Sequence, residues 1–216
     1  MTARGYTAVS FMSAGVGAFV GYHNDKVSVA YDKVLAMMRH VQTPVNTRDA
    51  GEVLKAALDI VQATPASCAI LSTSRCDGSG GPAARVVLQK HPLGMQRQGD
   101  AISVLFTTAR QSRKYCELQK DGRVALTYWN PETLSYVTFL GRAEQLSPEK
   151  SNEIWRDWFL TFYRHGAEEY TAWVLIPETI QVVSIPEIQS TRPDWRPVEI
   201  HVTPQGGWRV VCDGME

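Results

Sequence analysis

The sequence has no excess charge of either sign: Lys plus Arg is 22 and Asp plus Glu is 22 in 216 residues. A chain without a net field has no electrostatic drive toward nucleic acid or an anionic membrane, and neither is expected as a partner. It also lacks a long hydrophobic run. The one extended uncharged stretch, residues 5–22, is interrupted by Gly5, Gly15, Gly17 and Gly21 and by Ser10 and Ser13, and falls short of the apolar density of a spanning helix. Arg4 ahead of that stretch leaves organelle targeting open beside the expected cytoplasmic location. Cysteine is scarce. Cys68, Cys76, Cys116 and Cys212 never form C-x-x-C and have no clustered histidine, which excludes a zinc site and fits reduced thiols. Gly 16 and Pro 11 are ordinary numbers, so collagen-like and low-complexity classes fall away. What remains is a chain of ordinary hydrophobicity, long enough to bury a core without staples.

Two helical patterns come first. Residues 25–40 carry Val27, Tyr31, Val34, Leu35 and Met38 on one face, and a second stripe at Ala50, Val53, Leu54, Ala57, Leu58 and Val61 is stopped by Pro65. The pattern then turns to short β-branched and aromatic runs at 68–73, 85–89, 102–107, 124–129 and 136–143, with turn signals between them. A short helix is expected over 112–120, and a longer one from Ser147-Pro148-Glu149 that carries Ile154, Trp155, Trp158, Phe159 and Phe162 as a packing stripe. Strands at 173–176 and 179–183 and a hairpin over 198–212 complete the set. So many strands with so few helices between them predict a mainly β (α+β) fold, an antiparallel barrel with peripheral helices. The expected division is an N-terminal extension with its helix, 1–47, and one domain, 48–216.

Two basic segments carry the chemistry. Thr107-Thr108-Ala109-Arg110-Gln111-Ser112-Arg113-Lys114 leaves a strand and enters a helix, with Ser112 suited to the cap. Arg113 and Lys114 then sit at the positive end of the helix dipole, which opposes itself unless an anion such as phosphate occupies the helix start. The alternative is that both side chains point into water. In Arg85-Val86-Val87-Leu88-Gln89-Lys90 a charge stands at each end of an apolar strand, compatible with clamping a polar tail while the strand runs along a flat ring. It is equally compatible with an ordinary edge strand.

The order R-x-V-L-x-K (Arg85 to Lys90), F-T-T (Phe106 to Thr108), S-R-K (Ser112 to Lys114), L-x-x-D-G-R-V-A-L-T-Y-W (Leu118 to Trp129) and Y-V-T-F-L-G-R-A-E (Tyr136 to Glu144) resembles the pyridoxamine 5'-phosphate oxidase-like family over residues 65–185. The resemblance implies an FMN-binding split β-barrel that forms a homodimer with flavin at the subunit interface. It implies FMN phosphate held by Arg85, Ser112, Arg113 and Lys114, with Lys90 nearer the ring and Val86, Val87, Thr107 and Thr108 lining the flavin. Trp129 and Tyr136 would approach the ring from the partner subunit, or serve as core or interface aromatics. Within the family the chain looks more like the general stress protein branch than the true oxidases. Tyr136 stands where those have Gln, and Arg192-Pro193-Asp194-Trp195-Arg196-Pro197 stands where they have R-L-H-D-R.

The function this implies is an FMN-dependent oxidoreductase acting on a small molecule of unknown identity, with no general base identifiable and no catalytic residue assigned. Two alternatives stay open: a non-catalytic split-barrel interaction or regulatory module, and a true pyridoxine/pyridoxamine 5'-phosphate oxidase.

Overall fold

The computed structural model describes residues 49–65, 69–79, 81–90, 92–99, 101–184 and 197–211, all within the unit Pro44–Glu216. The helix expected over 25–40, residues 192–196 of the run that stands in place of R-L-H-D-R, Cys68 and Cys212 lie outside them.

Helix α1, Ala50–Ala63, opens where Asp49 accepts a hydrogen bond from the Gly51 amide. It ends at Thr64, just before Pro65, as the sequence leads one to expect. Its apolar stripe of Val53, Leu54, Ala57 and Ile60 is buried against Leu71, Phe106, Leu126, Phe139, Leu175 and Ile180 of the sheet. The strands are β1 Ala69–Ser74, β2 Pro82–Val87, β3 Gly94–Gln98, β4 Ala101–Ala109, β5 Arg123–Asn130, β6 Ser135–Gln145, β7 Tyr170–Val183, β8 Val198–Val202 and β9 Trp208–Val211. Helix α2 is Arg113–Lys120 and helix α3 is Pro148–Ile154. All pairings are antiparallel, in the order β2-β1-β5-β6-β7-β4-β3, with β8 added to β7 and β9 to β8. The sheet is not closed, as befits a split barrel.

The split originates in β7. One side of this 14-residue strand pairs with β6 from Trp173 to Val183, but the other side serves β4 over Tyr170–Leu175 and β8 over Thr179–Val182. The sequence reads as two strands here, and the interruption at Pro177-Glu178 is the point where β7 changes partner. Proline has no N–H to offer a ladder, and at this position neither β4 nor β8 requires one. The register shift on β6 falls at the same place, between Leu140 and Gly141. Only glycine fits at 141, because a β-carbon there would collide with the Ile176 carbonyl.

Three expectations need correction. The aromatic stripe after Ser147 does not ride one long helix: α3 stops at Ile154, and Asp157–Thr161 forms a separate 3-10 turn. Arg156 Nη1 donates to the carbonyls of Glu153 and Trp155 and caps the break. The break allows both Trp155 and Phe159 to pack on Tyr170, at 5.1 and 5.6 Å between ring centroids. Second, β2 begins three residues early, at Pro82, and ends at Val87, so Leu88, Gln89 and Lys90 lie beyond the strand. Third, β3 was not foreseen. Its Gly-Met-Gln-Arg-Gln sequence has no β signature, and it exists through pairing with β4 across a tight hairpin, Gln98 opposite Ala101, with Gly99 at φ +61°.

Candidate functional site

The end of β4, the start of α2, the chain leaving β2 and the 3-10 turn after α3 enclose a cleft of about 310 Å³. It is lined by Val86, Val87 and Leu88 at the end of β2 and by the aromatic side Trp158, Phe159, Phe162 and Tyr163. Lys114 and Thr107 supply the polar groups. The cleft is therefore amphiphilic: a cationic end at the α2 start and an apolar, largely aromatic body.

At the cationic end, Ser112 caps α2 by accepting from the Tyr115 amide at 3.3 Å and donates its own proton to the Ala109 carbonyl at 2.6 Å. Its hydroxyl is thus occupied by the fold. The amides of Arg113 and Lys114 are first-turn groups, which have no partner within a helix. Lys114 is half-buried, and that desolvation, joined by the charge of Arg85, holds its ammonium below the usual lysine range. Arg113 is exposed, with its Nε 3.3 Å from Glu117 Oε1. Arg85 does not line the cleft. Its Nη2 donates to Glu117 Oε2 at 2.6 Å and its Nη1 to Thr73 Oγ1 at 2.7 Å, so Glu117 is its immediate partner.

In the body of the cleft, Tyr163 donates to Thr107 Oγ1 at 2.8 Å. Burial raises the Tyr163 phenol above its ordinary range, which keeps the proton on its oxygen. A hydroxyl that already accepts has its own proton left to give, so Thr107 can donate into the cleft. Thr108 alternates to the other face, fully buried, and accepts from Trp173 Nε1 at 3.0 Å. Lys90 lies over the Trp158 ring at 5.4 Å, a cation–π contact that buttresses the aromatic wall. Trp129 and Tyr136 are cross-strand neighbours on the outer face of β5 and β6, away from the cleft lining.

Of the residues singled out in the sequence, the cleft gathers Val86, Val87, Thr107 and Lys114, with Ser112, Arg113 and Lys90 beside it. Arg85 and Thr108 are engaged elsewhere. The sequence reading took Trp158, Phe159 and Phe162 as packing, yet they also form the cleft wall, and it missed Glu117 and Tyr163. The i,i+4 spacing of Arg113 and Glu117 was a visible signal for the first; nothing local marks Tyr163.

The sequence model of pyridoxamine 5'-phosphate oxidase matches residues 55–184, more than half of the chain. The chain belongs to that family. No curated protein matches it. Among solved structures, PhzG from Burkholderia lata, in complex with tetrahydrophenazine-1-carboxylic acid, is 18% identical at a TM-score of 0.53, covering 80% of this chain and 94% of its own. A pyridoxamine 5'-phosphate oxidase-related, FMN-binding protein from Nostoc punctiforme is 15% identical at 0.52, covering 74% and 95%. A Clostridium acetobutylicum protein related to general stress protein 26 is 16% identical at 0.50, covering 64% and 92%. Likeness of this size establishes the shared split-barrel fold. Among the described residues there is no helix long and apolar enough to cross a membrane and no cluster of metal-ligating side chains.

Proposed function

We propose that this member of the pyridoxamine 5'-phosphate oxidase family binds FMN in the cleft and acts as a flavin-dependent oxidoreductase. The observation that carries the reading is the amphiphilic cleft itself. Lys114, Arg113 and the first-turn amides of α2 have the charge and donors a phosphate monoester needs. The apolar channel from Val86 to Trp158 has the character a flat ring needs. The FMN-binding description of the Nostoc relative supports the same cofactor. When bound, the flavin supplies the hydride or electron chemistry. The chain's own part is to bind the phosphate, to hold the ring between β2 and the aromatic wall, to exclude water with Trp158 and Phe162, and to offer the Thr107 proton.

We further propose a homodimer. The outer face of β2, β1, β5 and β6 carries the cross-strand row Val86, Ile70, Thr127 and Thr138, and beside it Trp129 and Tyr136. Val86 is 66% exposed and Trp129 43%, with no charged side chain in either group. This uncharged, partly aromatic patch, with Arg123 and Arg142 farther along the same face of β5 and β6, suits the core of a subunit interface with a charged rim, and Val86 belongs both to it and to the cleft, so a second subunit would complete the flavin site. The free thiols of Cys76 and Cys116 support a cytoplasmic setting, and the Tyr136 and 192–197 sequences support the general stress branch.

The test is the visible spectrum of the purified protein, mass identification of the released ligand, and light scattering. Oxidised-flavin absorption, FMN released on denaturation and a particle of twice the chain mass are expected. A colourless chain that fails to take up added FMN refutes the cofactor, and leaves the non-catalytic module as the better reading; a flavin-loaded particle of one chain mass refutes the dimer.

A further inference from the structure

Glu117 is a carboxylate whose side chain has no solvent exposure, and such a charge costs several kcal/mol unless it is well partnered. Its partners are specific. Oε2 accepts from Thr73 Oγ1 at 2.6 Å and from Arg85 Nη2 at 2.6 Å, while Arg85 Nη1 reaches Thr73 Oγ1 at 2.7 Å. This closed ring of contacts ties β1, β2 and α2 together directly beneath the α2 start. Oε1, in contrast, is buried without a hydrogen bond; Arg113 Nε stands 3.3 Å from it but out of line. A purely structural ion pair is expected to satisfy both oxygens. Here the second oxygen only draws the Nε side of Arg113 inward, and no described group takes the Nη edge of that guanidinium. That edge is the one able to grip two oxygens of a tetrahedral anion.

We infer that Glu117 is a positioning residue for phosphate recognition: it pins Arg85 and orients Arg113 so that the α2 start presents a preset cradle to a phosphate monoester. The inference rests on the flavin-phosphate reading of the cleft and adds to it a residue that never touches the ligand. The charge count agrees. Arg85, Arg113 and Lys114 face the single buried carboxylate of Glu117, and Asp77, the other carboxylate within electrostatic reach of Arg113, is itself paired with Arg75 at 3.7 Å, so the local balance stays positive, as a phosphate monoester carrying about −1.5 to −2 at neutral pH requires. Lys114 senses both neighbours: Arg85 depresses its proton affinity and Glu117 raises it.

The two roles open to Glu117 predict opposite signs. If the carboxylate were a mere counter-charge, its neutralisation would strengthen attraction for the phosphate. If it positions the arginines, neutralisation loosens the cradle and weakens binding. The experiment titrates the full chain, freed of flavin, with FMN and with riboflavin, following flavin fluorescence, for the wild type, Glu117→Gln and Glu117→Asp. In the wild type FMN is expected to bind well ahead of riboflavin. Glu117→Gln is expected to cut the FMN-over-riboflavin preference by about tenfold or more, the scale of one charge-assisted contact, with riboflavin affinity held. Glu117→Asp, which keeps the charge, is expected to recover part of that preference. A preference that is unchanged or enlarged in Glu117→Gln overturns the inference while leaving the flavin-phosphate reading intact. Equal wild-type affinities for FMN and riboflavin overturn both. Should Glu117→Gln fail to fold, Thr73→Val decides: it keeps every charge, removes the clamp on Glu117 and Arg85, and is expected to lower the same preference by about threefold or more, roughly half a charge-assisted bond. No change there overturns the inference.

Discussion

Lys114→Met isolates one contact and makes two predictions of opposite sign. Lys114 is the cation that lines the cleft, and on the proposed reading its ammonium meets the flavin phosphate. Removing a charge-assisted hydrogen bond to a dianion costs about 1.5–3 kcal/mol, or about 10- to 150-fold in FMN affinity. Riboflavin has no phosphate and should be held within about twofold, less than half a kcal/mol. In the flavin-free protein the effect reverses. Desolvation, with Arg85 adjoining, lowers the folded-state proton affinity of Lys114, so keeping it charged at neutral pH opposes folding. The opposition is present below the folded value and is relieved only as pH rises toward the ordinary lysine value of about 10.4. Methionine keeps the length and apolar stem, and the variant should therefore melt higher than the wild type when both are flavin-free, and lower relative to it when saturating FMN is present. Isothermal titration with FMN and riboflavin, and thermal melts with and without FMN, read both effects. Equal losses for the two flavins, or a flavin-free melting point that falls, would refute the assignment of Lys114 to the phosphate.

Gly141→Ala forces a β-carbon against the Ile176 carbonyl in a backbone fixed by two ladders, and should cost about 1–3 kcal/mol, about 2–4 °C of melting temperature per kcal/mol. Its FMN preference over riboflavin should persist, because the switch in β7 is remote from Lys114. Hydrogen bonds from Thr73 and Arg85 outweigh burial and hold Glu117 below the ordinary glutamate range. The stability it contributes is thus complete above about pH 4.3 and is lost as pH falls through its folded value; Glu117→Gln should flatten that limb of a urea-denaturation series. Turnover of pyridoxine 5'-phosphate should be far below about 1 per second, the lower end of ordinary enzymes. Prolines 193 and 197 remove N–H donors where a second anion site would be needed, and steady oxidation at ordinary rates would promote the vitamin-pathway reading.

Legibility followed the range of the forces involved. Helix α1 was readable to within two residues because its apolar stripe and the stop at Pro65 are both local. So were β4, β5 and β6, whose alternation matches one buried face. β3 was not readable, since Met95, Gln96 and Arg97 are strand residues only because β4 lies beside them. The long helix expected after Ser147 failed for a related reason. The 3.6-residue spacing of Trp155, Trp158, Phe159 and Phe162 is real, but a cluster around Tyr170 makes stronger contacts once the helix breaks. At the candidate site, the S-R-K run marks the start of α2, which is local, whereas the pairing of Arg85 with Glu117 is a contact over 32 residues that no local pattern carries.

The neutrality of the chain bears on how the proposed flavin phosphate would be recognised. With 22 cationic and 22 anionic side chains there is no global field to gather an anion from a distance. Three cations sit close together at the α2 start, but one is neutralised by a buried carboxylate, and at physiological salt their influence fades beyond about 8 Å. Steering should therefore add little to association, and the phosphate should act after contact, through hydrogen bonds that must break before the ligand leaves. The preference for FMN over riboflavin is thus expected mostly in the dissociation rate, with association rates differing by no more than about tenfold, the low end of the spread among related complexes. Stopped-flow fluorescence at two salt concentrations measures both constants. A preference carried mainly by association, and collapsing as salt is raised, would mean that the cations work as a diffuse attractor, and the preset cradle around Arg113 and Lys114 would have to be abandoned.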